Sequence, residues 1–117
     1  MLRLPLSLFG ATMLLGFVLA AMNLRQTTAV PPWFVRLAHG LLGAGGLAVL
    51  MSTTSGPVAG DPTFRLDAVV LLGAALLLGL AILGAYRIAP KSAGALIALH
   101  ATIAMFGLAV LSAYATL

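Results

Sequence analysis

The segment "RLAHGLLGAGGLAVL" (residues 36–50) and the segment "IALHATIAMFGLAVL" (residues 97–111) each place one histidine seven residues before the same five letters, GLAVL. Aligned at an offset of 61 residues, the two segments pair His39 with His100. The chain contains 2 histidines in all, so both of them stand at matched positions. This pairing indicates an internal repeat.

A second pair of segments supports the repeat. The letters "GATMLLG" (residues 10–16) and "GAALLLG" (residues 73–79) align at an offset of 63 residues. Short apolar segments match easily by chance. Here, however, the offsets of two independent alignments differ by only two residues, which connectors of unequal length would explain. The sequence therefore predicts two copies of one helical hairpin.

The composition predicts a membrane protein. The 117 residues are 62% hydrophobic and only 7% charged, and the mean hydropathy is +1.19. A spanning helix needs about 20 predominantly apolar residues, and lipid provides no partner for an open sheet edge. We therefore expect an all-α transmembrane four-helix bundle, one domain covering residues 1–117, with helices at about 4–23, 32–51, 66–86 and 92–115.

The residues at the ends of these runs predict the orientation. Basic residues concentrate in short loops on the cytoplasmic side of membrane proteins. The first and third connectors and their flanks contain Arg25, Arg36, Arg87 and Lys91, whereas the opposite side has Arg3 and Arg65 together with Asp61 and Asp67. We expect an integral protein of a bacterial inner membrane with both termini in the periplasm.

Three other residues are typical of helix ends. Trp33 and Tyr86 fit the aromatic belt at a membrane surface. Pro62 follows an aspartate that can cap a helix, so it is expected at the first helical position.

The repeat also predicts where the histidines lie. Each copy contains two spans, so both copies enter the membrane from the same side and are related by a pseudo-twofold axis along the membrane normal. At 1.5 Å per residue, His39 and His100 lie roughly 10–12 Å inside the same surface. They are therefore expected to face each other across the bundle axis.

The residues that are missing exclude several classes of function. The chain has no cysteine, which removes disulfides, iron–sulfur clusters and covalent c-type haem attachment. The net charge of +4 comes from scattered basic residues at segment ends, which favours lipid headgroups and excludes nucleic acid as the partner. The chain has too few ligands for a hydrolytic metal site such as a zinc site, since no carboxylate lies near a histidine in the sequence.

Axial ligation of one haem iron is the role that best fits two facing imidazoles. Small residues lie four and seven positions after each histidine, on the same helix face, and would leave room for a porphyrin. They are Gly43 and Gly46 after His39, and Ala104 and Gly107 after His100. Arg36, one turn before His39, is the candidate partner for a propionate.

These residues resemble the membrane b-type cytochromes, in which histidines on the second and fourth helices of a four-helix bundle ligate haem. Glycines on the first and third helices make space in that family, and Gly10 or Gly16 with Gly73 or Gly79 are the matching positions. The chain has one histidine per helix where those cytochromes have two. The resemblance therefore implies a single haem b, with a quinone or a second redox subunit needed to complete electron transfer.

The expected function is that of an electron-transfer or anchor subunit of a respiratory or quinone-linked redox complex, and not of a complete enzyme. Its expected partners are the lipid bilayer and larger redox subunits or a quinone, and homo-oligomers stay open. The main alternative is a cofactor-free accessory subunit, whose histidines hydrogen-bond backbone carbonyls or a hydroxyl such as that of Thr102. Chlorophyll ligation also stays open.

Two transport functions fit less well. A small multidrug transporter needs a carboxylate within the membrane, but the chain has no glutamate, and both aspartates lie at or near a helix start. A channel needs polar stripes that line a pore, whereas only scattered polar residues are available here.

Overall fold

The computed structural model describes residues 2–25, 33–53 and 62–116. They form four long helices and a short 3₁₀ turn, with no strand among them: α1 (Arg3–Arg25), α2 (Trp33–Ser52), α3 (Pro62–Ile88), the turn (Pro90–Ser92) and α4 (Ala93–Thr116). All four helices are long and apolar enough to cross a membrane. The predicted all-α membrane bundle is confirmed.

The helix ends differ from the predicted bounds mainly at the start of α3. This helix begins at Pro62, which confirms the proline as the first helical residue but lies four residues before the start predicted from the apolar run. Proline lacks an amide hydrogen and has a helical φ, so it suits the first position of a helix even where the following residues are polar. The predicted capping residue, Asp61, lies outside the described residues.

The four helices are arranged as two hairpins. Within each hairpin, α1 with α2 and α3 with α4, the backbones pack closely along their length. Contacts between the hairpins are much sparser and run through α2 with α3 and α1 with α4. The equivalent helices, α1 with α3 and α2 with α4, therefore lie on the diagonals of the bundle.

Most of the buried side chains among the described residues lie at one end of the bundle. A buried cluster joins all four helices there and consists of Phe9, Leu50, Ala68, Leu72, Leu111 and Tyr114. This end, at the starts of α1 and α3 and the ends of α2 and α4, is called the closed end below. The other end, where α1 runs into α2 and α3 runs into α4, is called the connector end.

Packing at the closed end follows the repeat. Leu50 and Leu111 stand at equivalent positions and are both 0% exposed. A Cβ atom placed on Gly46 would lie 3.2 Å from the ring of Phe9, and one on the equivalent Gly107 would lie 2.9 Å from Leu72. Each hairpin thus brings its helices together through the same glycine, against a large side chain at the same position.

The outer surface is apolar, as a membrane requires. Leu14 and Leu77 occupy equivalent positions on α1 and α3, and both are 69% exposed. Trp33 is also 69% exposed at the start of α2, which agrees with a place in the aromatic belt. Such exposed apolar side chains are suited to contact with lipid, because hydrocarbon tails are as apolar as leucine.

Candidate functional site

The two histidines meet on the axis of the bundle. The ring centres of His39 and His100 are 5.9 Å apart, and the ring planes are inclined at 67°. His39 lies six residues after the start of α2 and His100 seven after the start of α4, so both are about 10 Å from the connector end. Two diagonal helices thus present one imidazole each at the same depth.

Each imidazole is anchored by its own hairpin. His39 Nδ1 lies 2.8 Å from the carbonyl oxygen of Thr12, and His100 Nδ1 lies 2.7 Å from that of Ala75. Thr12 and Ala75 are themselves repeat partners at the offset of 63. The same hydrogen bond between Nδ1 and a backbone carbonyl therefore occurs at equivalent positions in both hairpins.

These bonds define the tautomer of each ring. A carbonyl oxygen only accepts hydrogen bonds, so each Nδ1 carries the hydrogen and each Nε2 carries the lone pair. Across the described residues, the hydrogen bonds of His39 and His100 engage Nδ1 alone. Thr102, a sequence-based candidate partner, donates instead to Ala98 in its own helix. Metal-ligating histidines show this same arrangement, with one ring nitrogen tethered and the other free to coordinate.

Glycines on the neighbouring helices hold the rings in place. A Cβ on Gly16 would lie 3.1 Å from His39 Cε1, and one on Gly79 would lie 3.3 Å from His100 Cε1. The resemblance to b-type cytochromes implies that these glycines make room for a cofactor. In the structure the space beside each glycine is occupied by an imidazole, so the glycines determine how closely the candidate ligands His39 and His100 pack against α1 and α3.

A cavity of about 320 Å³ lies between the hairpins around the histidine pair. This volume is in the range of small-molecule sites, and the walls are mostly apolar, as in such sites. Phe9 and Leu72 line the cavity and also belong to the buried cluster of the closed end. The cavity is therefore confined to the half of the bundle in which the hairpins pack loosely.

Arg36 is the charged residue that lines this cavity. Its side chain is half-buried, and its Nε is buried with no hydrogen-bond partner in the described part of the chain. An unsatisfied buried donor costs about 1–3 kcal/mol, more when it is charged. The repeat partner of Arg36 is Ile97, which also lines the cavity, so the charge stands in one hairpin only.

The cavity includes most, but not all, of the residues proposed from sequence. His39, His100, Arg36, Gly43 and Ala104 line it. The other two glycines of the predicted porphyrin lanes, Gly46 and Gly107, are buried against Phe9 and Leu72 and serve helix packing at the closed end.

Tyr86 is a cavity residue that the sequence analysis missed. It lies two residues before the end of α3, and its half-buried side chain lines the cavity at the connector end. Its hydroxyl donates to Asn23 Oδ1 over 3.3 Å. The two residues are 63 positions apart, so they are repeat partners that meet across the diagonal between α1 and α3. That offset was the sequence signal that could have revealed the contact.

The spacing of the two rings would allow both histidines to hold one haem. Imidazole–metal bonds of about 2 Å from both rings to one ion would put the ring centres about 6 Å apart, and the centres of His39 and His100 lie 5.9 Å apart. Within the described ranges, no group of three or more His, Cys, Asp or Glu side chains could hold a metal ion. A bare ion would thus have two imidazoles only, whereas a macrocycle brings its own equatorial nitrogens. The unpaired Arg36 Nε suits a carboxylate of such a group.

Comparisons with known proteins add no relative. No family model, no curated protein and no solved structure matches this chain.

Proposed function

We propose that this protein is an integral membrane subunit that binds one haem b through His39 and His100 and serves electron transfer, or membrane anchoring, in a respiratory or quinone-linked redox complex. The observation that carries the proposal is the pair of neighbouring imidazoles, whose ring centres lie 5.9 Å apart. Each ring has Nδ1 tethered to a carbonyl of its own hairpin, which leaves both Nε2 atoms for coordination.

The residues of the chain would hold such a group rigidly. The carbonyls of Thr12 and Ala75 orient the rings and raise the basicity of the coordinating nitrogens. The apolar walls would exclude water and lower the local dielectric constant. A low dielectric constant around a haem is one of the factors that set its redox potential. When bound, haem supplies one-electron oxidation and reduction. Because both histidines would be engaged in holding the group, the chain would offer no further place for a substrate, which favours electron transfer over catalysis.

The position of the pair argues for a redox partner. His39 and His100 lie about 10 Å from the connector end of the membrane span and much farther from the closed end. One haem at that depth would relay an electron only part of the way across. We therefore propose a quinone or a second redox subunit as the partner, and the extensive apolar outer surface leaves room for such subunits or for further copies of this chain.

The proposed orientation is in a bacterial inner membrane with the connector end towards the cytoplasm and both termini in the periplasm. Arg25, Arg87 and Lys91 are exposed at the connector end, as cytoplasmic basic residues are expected to be. Because the chain has no cysteine, Ser92→Cys and Thr116→Cys provide single labelling sites at opposite ends. A membrane-impermeant maleimide applied to intact cells should label the second variant and spare the first; the reverse pattern would invert the orientation.

The second candidate is a cofactor-free accessory subunit. One observation favours it: the bonds from His39 to Thr12 and from His100 to Ala75 join neighbouring helices, and this would stabilise the hairpins without any ligand. This candidate predicts a colourless protein that copurifies with large partner subunits. A cofactor-free subunit does not explain the free Nε2 atoms, the cavity or the unpaired Arg36 Nε.

An absorption spectrum decides between the two candidates. Protein purified from haem-replete cells should show, after dithionite reduction, the sharp α and Soret bands of six-coordinate low-spin haem, which a chlorophyll spectrum would not match. His39→Ala and His100→Ala should each abolish this spectrum or leave a five-coordinate one. Thr102→Ala is the matched control, because its hydroxyl bonds only its own helix. A colourless wild-type protein, or single histidine variants with an unchanged low-spin spectrum, would refute the haem proposal.

A further inference from the structure

The two ends of the cavity differ in chemistry. Towards the closed end, Phe9 and Leu72 line it, and both are nearly fully buried. Towards the connector end it is lined by Arg36 and Tyr86. The histidine pair lies between these two ends. A ligand held by the histidines therefore meets hydrocarbon in one direction and hydrogen-bond donors in the other.

Arg36 supplies the first donor. It lies one helical turn from His39, towards the connector end, on the same face of α2. Its guanidinium is permanently charged, and its buried Nε has no partner in the portion of the chain that the structure describes. A charged donor with an unused buried hydrogen, lining a cavity, is suited to an anion.

Tyr86 supplies the second donor. Its hydroxyl bonds Asn23 Oδ1 at 3.3 Å, which is long for a bond between oxygen atoms. A bond of this length is readily given up for a shorter, charge-assisted one to a carboxylate. Asn23 then keeps the phenol at the connector end when no carboxylate is bound, because both residues lie two positions before the ends of their helices.

We infer that the site selects a ligand with carboxylates along one edge, and that Arg36 and Tyr86 bind these carboxylates at the connector end. The inference builds on the proposed function and adds to it a ligand direction and a requirement for free carboxylates. A macrocycle turned the other way would bury its carboxylates towards Phe9 and Leu72, where the nearest hydroxyl of the lining, that of Thr12, already donates to Leu8 O.

The test compares haemin with haemin dimethyl ester, which has the same iron and ring but no negative carboxylates. Both are titrated into the purified full-length apoprotein in lipid nanodiscs, and the low-spin Soret band is followed. The wild-type protein should bind haemin roughly tenfold to a hundredfold more tightly than the ester, the value of one charged hydrogen bond. Arg36→Met should remove most of this preference by weakening haemin binding while leaving the affinity for the ester within about threefold.

Matched variants isolate the two donors. Tyr86→Phe should reduce the preference for haemin by about twofold to tenfold, the value of a neutral hydrogen bond. Ile97→Met, at the repeat partner of Arg36, and Tyr114→Phe, in the closed-end cluster, should leave the preference unchanged. Should Arg36→Met fail to fold, Arg36→Gln provides an uncharged polar substitute, and retention of ester binding reports that the site is intact.

Each outcome separates this inference from the haem proposal. If the wild-type protein binds haemin and its ester equally, or if Arg36→Met weakens both by the same factor, the carboxylate assignment is overturned while histidine ligation stands. If the wild-type protein binds neither compound, the proposed function itself fails. A preference that Ile97→Met removes as fully as Arg36→Met does would also overturn the inference.

Discussion

Gly16 and His39 touch across the first hairpin: a Cβ atom on Gly16 would lie 3.1 Å from Cε1 of the imidazole. The equivalent distance in the second hairpin, from Gly79 to His100 Cε1, is 3.3 Å. The neighbouring ring atom, Nδ1, makes the hydrogen bond to a backbone carbonyl one turn earlier in the same helix as the glycine. Each imidazole is therefore set by a glycine and a carbonyl of the preceding helix.

Replacing these glycines should displace the rings. In Gly16→Ala and Gly79→Ala the added methyl group forces the imidazole to shift by a few tenths of an ångström or to lose its carbonyl bond, at a cost of about 1–3 kcal/mol. We expect weaker haem binding, by roughly tenfold or more, with an altered low-spin electron paramagnetic resonance signal. Haem titration and that spectrum are the measurements.

Gly84→Ala is the control for this prediction. Gly84 lies in α3 like Gly79, but a Cβ there meets nothing within 4 Å, so the site should be unaffected. If all three variants bind haem with wild-type affinity and the same spectrum, the glycines do not position the histidines.

Gly107→Ala should destabilise the bundle itself. Its Cβ would lie 2.9 Å from Leu72 Cγ, an atom near the backbone that has little freedom to move away. Overpacking of this kind costs about 1–3 kcal/mol in the free energy of unfolding. Titration of the micelle-solubilised protein with sodium dodecyl sulfate, followed by circular dichroism, measures the loss. Gly94→Ala in the same helix meets nothing within 4 Å and should be neutral or slightly stabilising, and equal effects at the two sites would contradict the packing argument.

The repeat predicts equal energies at equivalent core positions. Leu50 and Leu111 are both 0% exposed in the closed-end cluster, so Leu50→Ala and Leu111→Ala each leave a cavity worth about 2–5 kcal/mol. The two losses should agree to within about 1 kcal/mol, measured by the same unfolding titration. The control is Leu14→Ala, since Leu14 is 69% exposed and faces lipid. A large loss for one leucine and none for the other would mean that the two hairpins are not packed equivalently.

The bond between Asn23 and Tyr86 should couple the two hairpins weakly. In a double-mutant cycle with Asn23→Ala and Tyr86→Phe, we expect a coupling energy of about 0.5–1 kcal/mol, at the low end for a hydrogen bond because of its 3.3 Å length. Unfolding of the apoprotein in micelles provides the four values. Tyr114→Phe with Asn23→Ala is the control cycle and should show no coupling, since Tyr114 lies in the closed-end cluster. Independent effects of Asn23→Ala and Tyr86→Phe would show that the bond does not hold the connector end together.

Sequence reasoning was sufficient for the architecture because the bilayer imposes a length and a polarity on each spanning segment. Four apolar runs of about 20 residues permitted little except four helices, and the predicted bounds were close to the observed ones apart from the earlier start of α3. The repeat then placed His39 and His100 at one depth on diagonal helices, where the structure has them.

Sequence reasoning was weaker for the faces of the helices. A helix of a soluble protein reveals its buried side by an apolar stripe, but these helices are apolar all round, so the pattern does not indicate which side chains point inwards. Gly46 and Gly107 were therefore assigned to the cofactor lanes, although they pack against Phe9 and Leu72. For the same reason the sequence did not indicate that Tyr86, near the end of α3, also lines the cavity.

The sequence by itself determined the number of spans, the duplication of the hairpin and the common depth of the histidines, because hydropathy and spacing along the chain are sufficient to define them. Only the tertiary structure decided which atoms meet. It tied each Nδ1 to a carbonyl of the neighbouring helix, closed one end of the bundle around Leu50 and Leu111, and left the cavity at the other end. The rotation of each helix about its axis decides these contacts, and in a nearly uniform apolar helix that rotation is set by close packing against its neighbours.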